Sequence, residues 1–103
     1  MVRHFKAELF RVLSHATRIR ILDALREGPL TVRDLQQRLS VEQSSVSQHL
    51  AALRTKDLVE ARREGTSVWY AVTDPATWQL LDIAREIYER QLTSNRAMLE
   101  ALR

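Results

Sequence analysis

Apolar residues recur along the first half of the chain at the three- and four-residue steps of amphipathic helices. Phe5, Leu9, Val12 and Leu13 predict a first helix over about 3–14. Ile19, Leu22 and Leu25, with Ile21 beside them, predict a second over about 16–27. Gly28-Pro29 then breaks the pattern. Thr31 and Asp34 stand at capping-box spacing, with Val32, Leu35 and Leu39 along one face behind them, which predicts a short third helix over about 31–39. Ser40 and Gln43 repeat that spacing and offer Ser40 as the cap of a fourth helix over about 42–55, whose inward face is Val46, Leu50 and Leu53. Two short helices joined so tightly read as a helix-turn-helix.

The period then changes. Leu58–Arg62 and Val68–Val72 are β-rich and flank Arg63-Glu64-Gly65-Thr66-Ser67, a β-hairpin over about 58–72 with a charged tip. Pro75 opens a last helical pattern that runs to the end of the chain, about 75–102. Such a helix spans roughly 42 Å, longer than a domain of this size needs. Trp78, Leu81, Tyr88, Leu92, Leu99 and Leu102 fall on alternating steps of three and four, with Arg85 and Asn95 in the two remaining slots. This is a coiled-coil-like seam with polar interruptions, and it favours a partner helix.

At 103 residues the chain is expected to form one domain over 1–103. It has no cysteine, which removes disulfides, thiolate catalysis, zinc fingers and thiol redox sensing together. With two glycines there is no phosphate-cradling loop, and no acid–base pair can be placed in a cleft, so an enzyme is not expected. No run approaches the roughly 18 apolar residues of a membrane helix, and Met1–Phe10 lacks the apolar core of a signal peptide. A cytoplasmic protein without membrane contact is the expectation. The net charge of +3 permits nucleic acid without demanding it. Fourteen of the sixteen basic residues are Arg, whose fork suits phosphate and guanine, although a G+C-rich genome produces the same bias.

The order of helices, helix-turn-helix, hairpin and long helix is that of a winged helix-turn-helix: mainly α with a β-hairpin wing, dimeric through N- and C-terminal helices. Leu13-Ser14-His15-Ala16-Thr17-Arg18-Ile19-Arg20-Ile21-Leu22 resembles the opening signature of the ArsR/SmtB family of bacterial repressors. Ser44-Ser45-Val46-Ser47-Gln48-His49-Leu50-Ala51-Ala52-Leu53-Arg54 resembles that family's recognition helix. Leu58-Val59, Arg62-Arg63-Glu64-Gly65 and Tyr70 resemble its wing. Ala16 stands where the family commonly has Pro, and Glu42 where it commonly has a Ser cap. The resemblance implies a homodimer that binds an operator upstream of its own operon and lets go when an effector binds.

The residues support that implication. Val46, Leu50 and Leu53 point into the core, while Ser44, Gln48 and Ala51 point nearly opposite, with Ser45, Ser47 and Ala52 on the shoulders. This outward face is small, polar and free of acids, so it can enter a major groove closely. Gln48 suits adenine N6 and N7, and the serines suit base edges or phosphates. His49, off the core direction, serves either as a phosphate contact or as flank packing. Arg54 and Lys56 at the helix end, Arg62, Arg63 and Thr66 on the wing, and Arg33 on the third helix are further candidate DNA contacts. Two such helices about a two-fold axis imply double-stranded DNA with an inverted repeat, its half-sites about one turn apart. Phe5 and Leu9 join the seam residues Trp78, Leu81, Tyr88, Leu92, Leu99 and Leu102 as the expected dimer interface.

Many members of the family sense metals. One of their site types uses cysteines in the third helix, which here has neither Cys nor His. Another uses His and carboxylates on the last helix, which here carries Asp82, Glu86, Glu89 and Glu100 but no His. Carboxylates alone suit hard ions, and ion pairs of Arg85 with Asp82 and Glu89, and of Arg90 with Glu86, account for most of them. The remaining candidate ligands are His4, Glu8 and His15 of the N-terminal region, which would suit nickel or zinc. His15 would have to come from the other subunit or after a bend. Two alternatives thus stand beside an effector-controlled repressor: a nickel- or zinc-responsive regulator, and a protein-interaction module that does not bind DNA.

Overall fold

A computed structural model describes residues 1–103. Five helices and three strands follow in the order α1 Val2–Leu13, α2 Ala16–Ala24, β1 Leu30–Thr31, α3 Val32–Leu39, α4 Gln43–Thr55, β2 Val59–Glu64, β3 Ser67–Val72 and α5 Ala76–Ala101. A single 3-10 turn, Leu25–Glu27, ends α2 early, ahead of Gly28 at φ 141°. The sheet is antiparallel in the order β1-β3-β2. Two-residue β1, which no periodicity could announce, pairs Leu30 with Tyr70 and Thr31 with Trp69 and anchors the wing to the helical body.

The core is thirteen apolar side chains drawn from every element except β3 and α5. Ile21, Leu22, Leu25, Leu35, Val46, Leu50 and Leu53 are sealed from solvent. These are the inward positions that the periodicity selects, so burial of each stripe holds the helices together. Thr31 and Asp34 form the predicted capping box, each side chain bonding the other residue's backbone N–H at 3.1 Å. Ser40 does not cap α4. It ends α3 in the left-handed conformation, and the Ser40 N–H donates to the Gln36 carbonyl. The residue ahead of α4 is Glu42, without a side-chain cap. A chain that must turn sharply after Leu39 uses Ser40 for the turn, and its hydroxyl is then lost to the next helix.

The far end of α4 is closed by a Schellman motif. The Leu58 N–H donates to the Leu53 carbonyl at 3.1 Å and the Asp57 N–H to that of Arg54 at 3.0 Å, with Asp57 at φ 54°. The wing turn is shorter than the sequence suggests. The strands run through Glu64 and Ser67, leaving Gly65 and Thr66 as a two-residue turn with Gly65 at φ 61°.

Helix α5 joins the body only at its start. The Trp78 indole Nε1 donates to the Leu22 carbonyl at 2.8 Å, and Trp78, Leu80 and Leu81 pack against the core. Trp78 and Leu81, expected in the partner seam, also pack against their own domain, and so does Leu9 of α1. Arg26 clamps the next turn, meeting Asp82 through Nη2–Oδ1 at 2.7 Å and Nη1–Oδ2 at 3.3 Å while its Nε meets Asp23 at 3.0 Å. Asp82 thus pairs with Arg26 and not with the expected Arg85. The arginine holds the Asp82 carboxyl below its ordinary range by hydrogen bonding and charge. From Asp82 onward every residue of α5 is exposed.

Candidate nucleic-acid interface

Burial of Val46, Leu50 and Leu53 fixes the rotation of α4. Ser44, Ser47, Gln48 and Ala51 are consequently exposed, and Ser45, His49 and Ala52 are half-buried on the shoulders. The helix carries no acid between Gln43 and Thr55. An ordinary solvated face would carry Glu and Lys; this one offers short hydroxyls and an amide that approach a groove floor closely.

The basic candidates divide by environment. Arg33, Arg54, Arg62 and Arg63 are exposed and form no ion pair, and Thr66 sits exposed in the wing turn. Lys56 is half-buried and lies 3.9 Å from Glu8, so α4 ends on an ionic tie to α1. In β2 the side chains alternate. Arg62, opposite Trp69, lies on the face with Glu60 and Glu64, whereas Arg63, opposite Val68, shares the face of buried Val59. The two wing arginines therefore point to opposite sides. Only Arg63 lies on the side of the helical body, and Arg62 stands between two acids.

His49, left open between two roles, has a partner. Arg18 of α2 donates from Nε to its Nδ1 at 3.1 Å and from Nη1 to the Val12 carbonyl at 3.0 Å. The His15 ring lies on the same imidazole, centroids 5.8 Å apart. Arginine can only donate, so the His49 Nδ1 is the acceptor and the ring proton of the neutral form sits on Nε2. Burial, then the charges of Arg18 and His15, push the His49 pKa below its ordinary 6.5. The unfolded chain, at the ordinary value, therefore takes up this proton first as pH falls. The stability that neutral His49 supports is complete above about pH 6.5 and lost as pH drops from there toward the lower folded value. Urea midpoints at about pH 7.5 and about pH 5 should show that loss, and it should shrink in His49→Asn, which keeps an acceptor but cannot titrate. An equal loss in the variant would assign the effect to other groups.

The candidate metal ligands do not converge. Glu8 accepts from Arg11 at 3.4 Å and faces Lys56, and the chain bends after Leu13 so that His15 lies against His49. No three His, Cys, Asp or Glu side chains come together as a metal cage anywhere in the chain. On α5, Glu89 is bonded by Arg85 at 2.9 Å and Glu86 faces Arg90 at 3.8 Å, as the spacing predicts. Within one chain, His4, Glu8 and His15 do not assemble the imidazole-rich site that nickel and zinc prefer.

Sequence reasoning missed the structural roles of three arginines: Arg18, Arg20, which donates to the Leu39 carbonyl at 2.9 Å behind the helix-turn-helix, and Arg26, which takes Asp82 of α5. It also missed apolar exposure on α5 at Ile83, Ile87 and Met98, and on α1 at Val2 and Phe10. The i, i+4 spacing of Ile83 and Ile87 was the available signal on α5, beside the predicted seam.

Comparison with known proteins agrees with this architecture. Residues 15–61 match the model of the bacterial regulatory protein arsR family. Rv0081, an HTH-type transcriptional regulator of Mycobacterium tuberculosis, is 40% identical over 99 residues, covering 95% of this chain and 87% of that protein. Its crystal structure superposes with a TM-score of 0.83 at 37% identity, over 91% of this chain and 95% of that one. The regulator NmtR of the same organism is 42% identical over 78 residues, 76% of this chain and 65% of that protein. The homodimeric winged helix-turn-helix domain of Mb0332 from Mycobacterium bovis is similar at a TM-score of 0.79 and 27% identity, over 88% of this chain and 84% of that one. With its capping-box-led helix-turn-helix, three-stranded wing and outlying last helix, this chain belongs to the arsR family of bacterial regulatory proteins, and it is a transcriptional regulator, not an enzyme.

Proposed function

We propose that the chain acts as a homodimer that seats two α4 helices in successive major grooves of an inverted-repeat operator and represses the transcription it blocks. The acid-free face of α4 carries this reading: it is the one helix surface built of short polar side chains over a fully buried stripe. The exposed apolar residues of α1 and α5 supply the dimer contact, and the homodimeric M. bovis domain supports that assembly. The wing follows the backbone with Arg63 as its main cation, since Arg62 lies between two acids on the opposite face.

The test is fluorescence anisotropy on duplex DNA from upstream of this protein's own gene, at two salt concentrations, against an unrelated duplex. Gln48→Ala is expected to weaken operator binding by about 1–3 kcal/mol per half-site and leave the unrelated duplex nearly unaffected. Equal loss on both would reduce Gln48 to a backbone contact. Arg63→Ala should flatten the salt dependence by about one unit of slope per subunit, and Arg62→Ala should flatten it less. Absence of any salt-dependent duplex binding would replace this reading with the interaction module.

A further inference from the structure

We propose that Arg18 is a positioning residue for operator reading, acting through His49 to set the recognition helix α4 on the end of α1. The inference rests on the DNA-reading role proposed above. Its basis is one guanidinium that joins three elements. Arg18 stands in the first turn of α2, donates to His49 of α4 at 3.1 Å and donates to the Val12 carbonyl in the last turn of α1 at 3.0 Å. Its location has no local explanation. A cation in a helix's first turn is opposed by the dipole of that helix, and α2 has no acid there to compensate. The carbonyl end of α1 compensates instead, because it is the negative end of its own dipole.

The contact falls where it governs reading. His49 directly follows Gln48 and sits half-buried at the edge of the outward face. Holding its Nδ1 fixes the ring, keeps the proton on Nε2 and ties the middle of α4, whose rotation the buried stripe sets, to the end of α1. The His15 ring lies beside it, tilted, with centroids 5.8 Å apart. The groups acting on this imidazole are thus Arg18 of α2, His15 just ahead of that helix and, through Arg18, the uncharged Val12 carbonyl from α1. The charge that α1 itself directs toward α4, Glu8, is engaged by Lys56 and Arg11. With Lys56–Glu8 at one end of α4 and Arg18–His49 in its middle, the helix takes its orientation from α1, which also exposes Phe5 and Phe10. A dimer built through α1 would then transmit its geometry to both reading heads by this bond. A duplex read at two half-sites is sensitive to that orientation, whereas non-specific phosphate contact is not.

The test compares Arg18→Met, His49→Leu, the double variant and His49→Asn, each first shown by circular dichroism and sedimentation to keep the fold and assembly state of the parent. Operator and unrelated duplex are titrated in parallel. Arg18→Met and His49→Leu are each expected to weaken operator binding by about 10-fold or more, with the unrelated duplex changed less than about 3-fold. The double variant should be no worse than either single one, because both remove the same bond. His49→Asn, whose Oδ1 replaces the Nδ1 acceptor, should retain operator affinity within about 3-fold. If Arg18→Met fails to fold, the contrast between His49→Leu and His49→Asn carries the test alone. Unchanged operator affinity in a folded Arg18→Met, additive losses in the double variant, or His49→Asn as weak as His49→Leu would each overturn the proposal. Failure of the parent chain to bind any operator would overturn the DNA-reading role beneath it, and the proposal with it.

Discussion

Replacing Trp78 with alanine is expected to lower stability by about 3 kcal/mol, the low end for loss of a large aromatic side chain because the ring is partly exposed. The ring is the main apolar link between α5 and the body, reinforced by the 2.8 Å bond from its Nε1 to the Leu22 carbonyl in the last turn of α2. Alanine removes both and leaves the contacts of Leu80 and Leu81 with the core and the clamp of Arg26 on Asp82, an exposed ion pair that contributes little by itself. For a domain of this size the expected fall in Tm is roughly 15 °C, measured by thermal denaturation at fixed protein concentration. Trp78→Phe keeps an aromatic ring but loses the bond and part of the indole's packing, so a smaller loss of about 1–2 kcal/mol is expected. A shift of less than about 3 °C in the alanine variant would mean that α5 is held chiefly by something other than this contact.

Placing glutamate at both Leu92 and Leu99 is expected to give a folded monomer whose operator affinity is lower by a factor of about 10² to 10⁴. Both side chains are exposed in the single chain, Leu92 by 45% and Leu99 by 65%, so the change removes nothing from the thirteen-residue core. It places four charges across a two-fold apolar contact, where unpaired charge is strongly disfavoured. Two reading heads joined in one dimer bind with the effective concentration that the second half-site experiences, and separated heads lose that advantage. Sedimentation gives the assembly state and anisotropy the affinity. A variant that remains dimeric would move the interface away from this part of α5, and a monomer with parental operator affinity would show that one head suffices.

The outward, acid-free face of α4 was legible from the sequence because one helix turn determines it. With Val46, Leu50 and Leu53 inward, the outward positions of Ser44, Ser47 and Gln48 follow from a fixed rotation per residue. The wing arginines were less legible. Placing Arg63 in a loop hid the strand alternation that sends it and Arg62 to opposite faces, and the shortness of the turn depends on a glycine conformation. The seam of α5 was half legible. Its spacing revealed an apolar stripe, but not that Trp78 and Leu81 also pack against their own domain.

What this sequence determined by itself is its set of local structures: five helices, the capping box at Thr31 and Asp34, a hairpin turning near Gly65, and the acid-free face of α4. Each depends on residues within a turn or two of one another, where periodicity and side-chain reach are set by backbone geometry. Tertiary structure alone decided the partners of Arg18, Arg26 and Trp78, which lie 31, 56 and 56 residues from His49, Asp82 and Leu22. It also decided that Ser40 turns the chain instead of capping α4, and that a two-residue strand completes the sheet. Spacing along a chain carries no information about a partner brought near by folding. An arginine with five donors can satisfy many acceptors, and the packing of the core chooses among them.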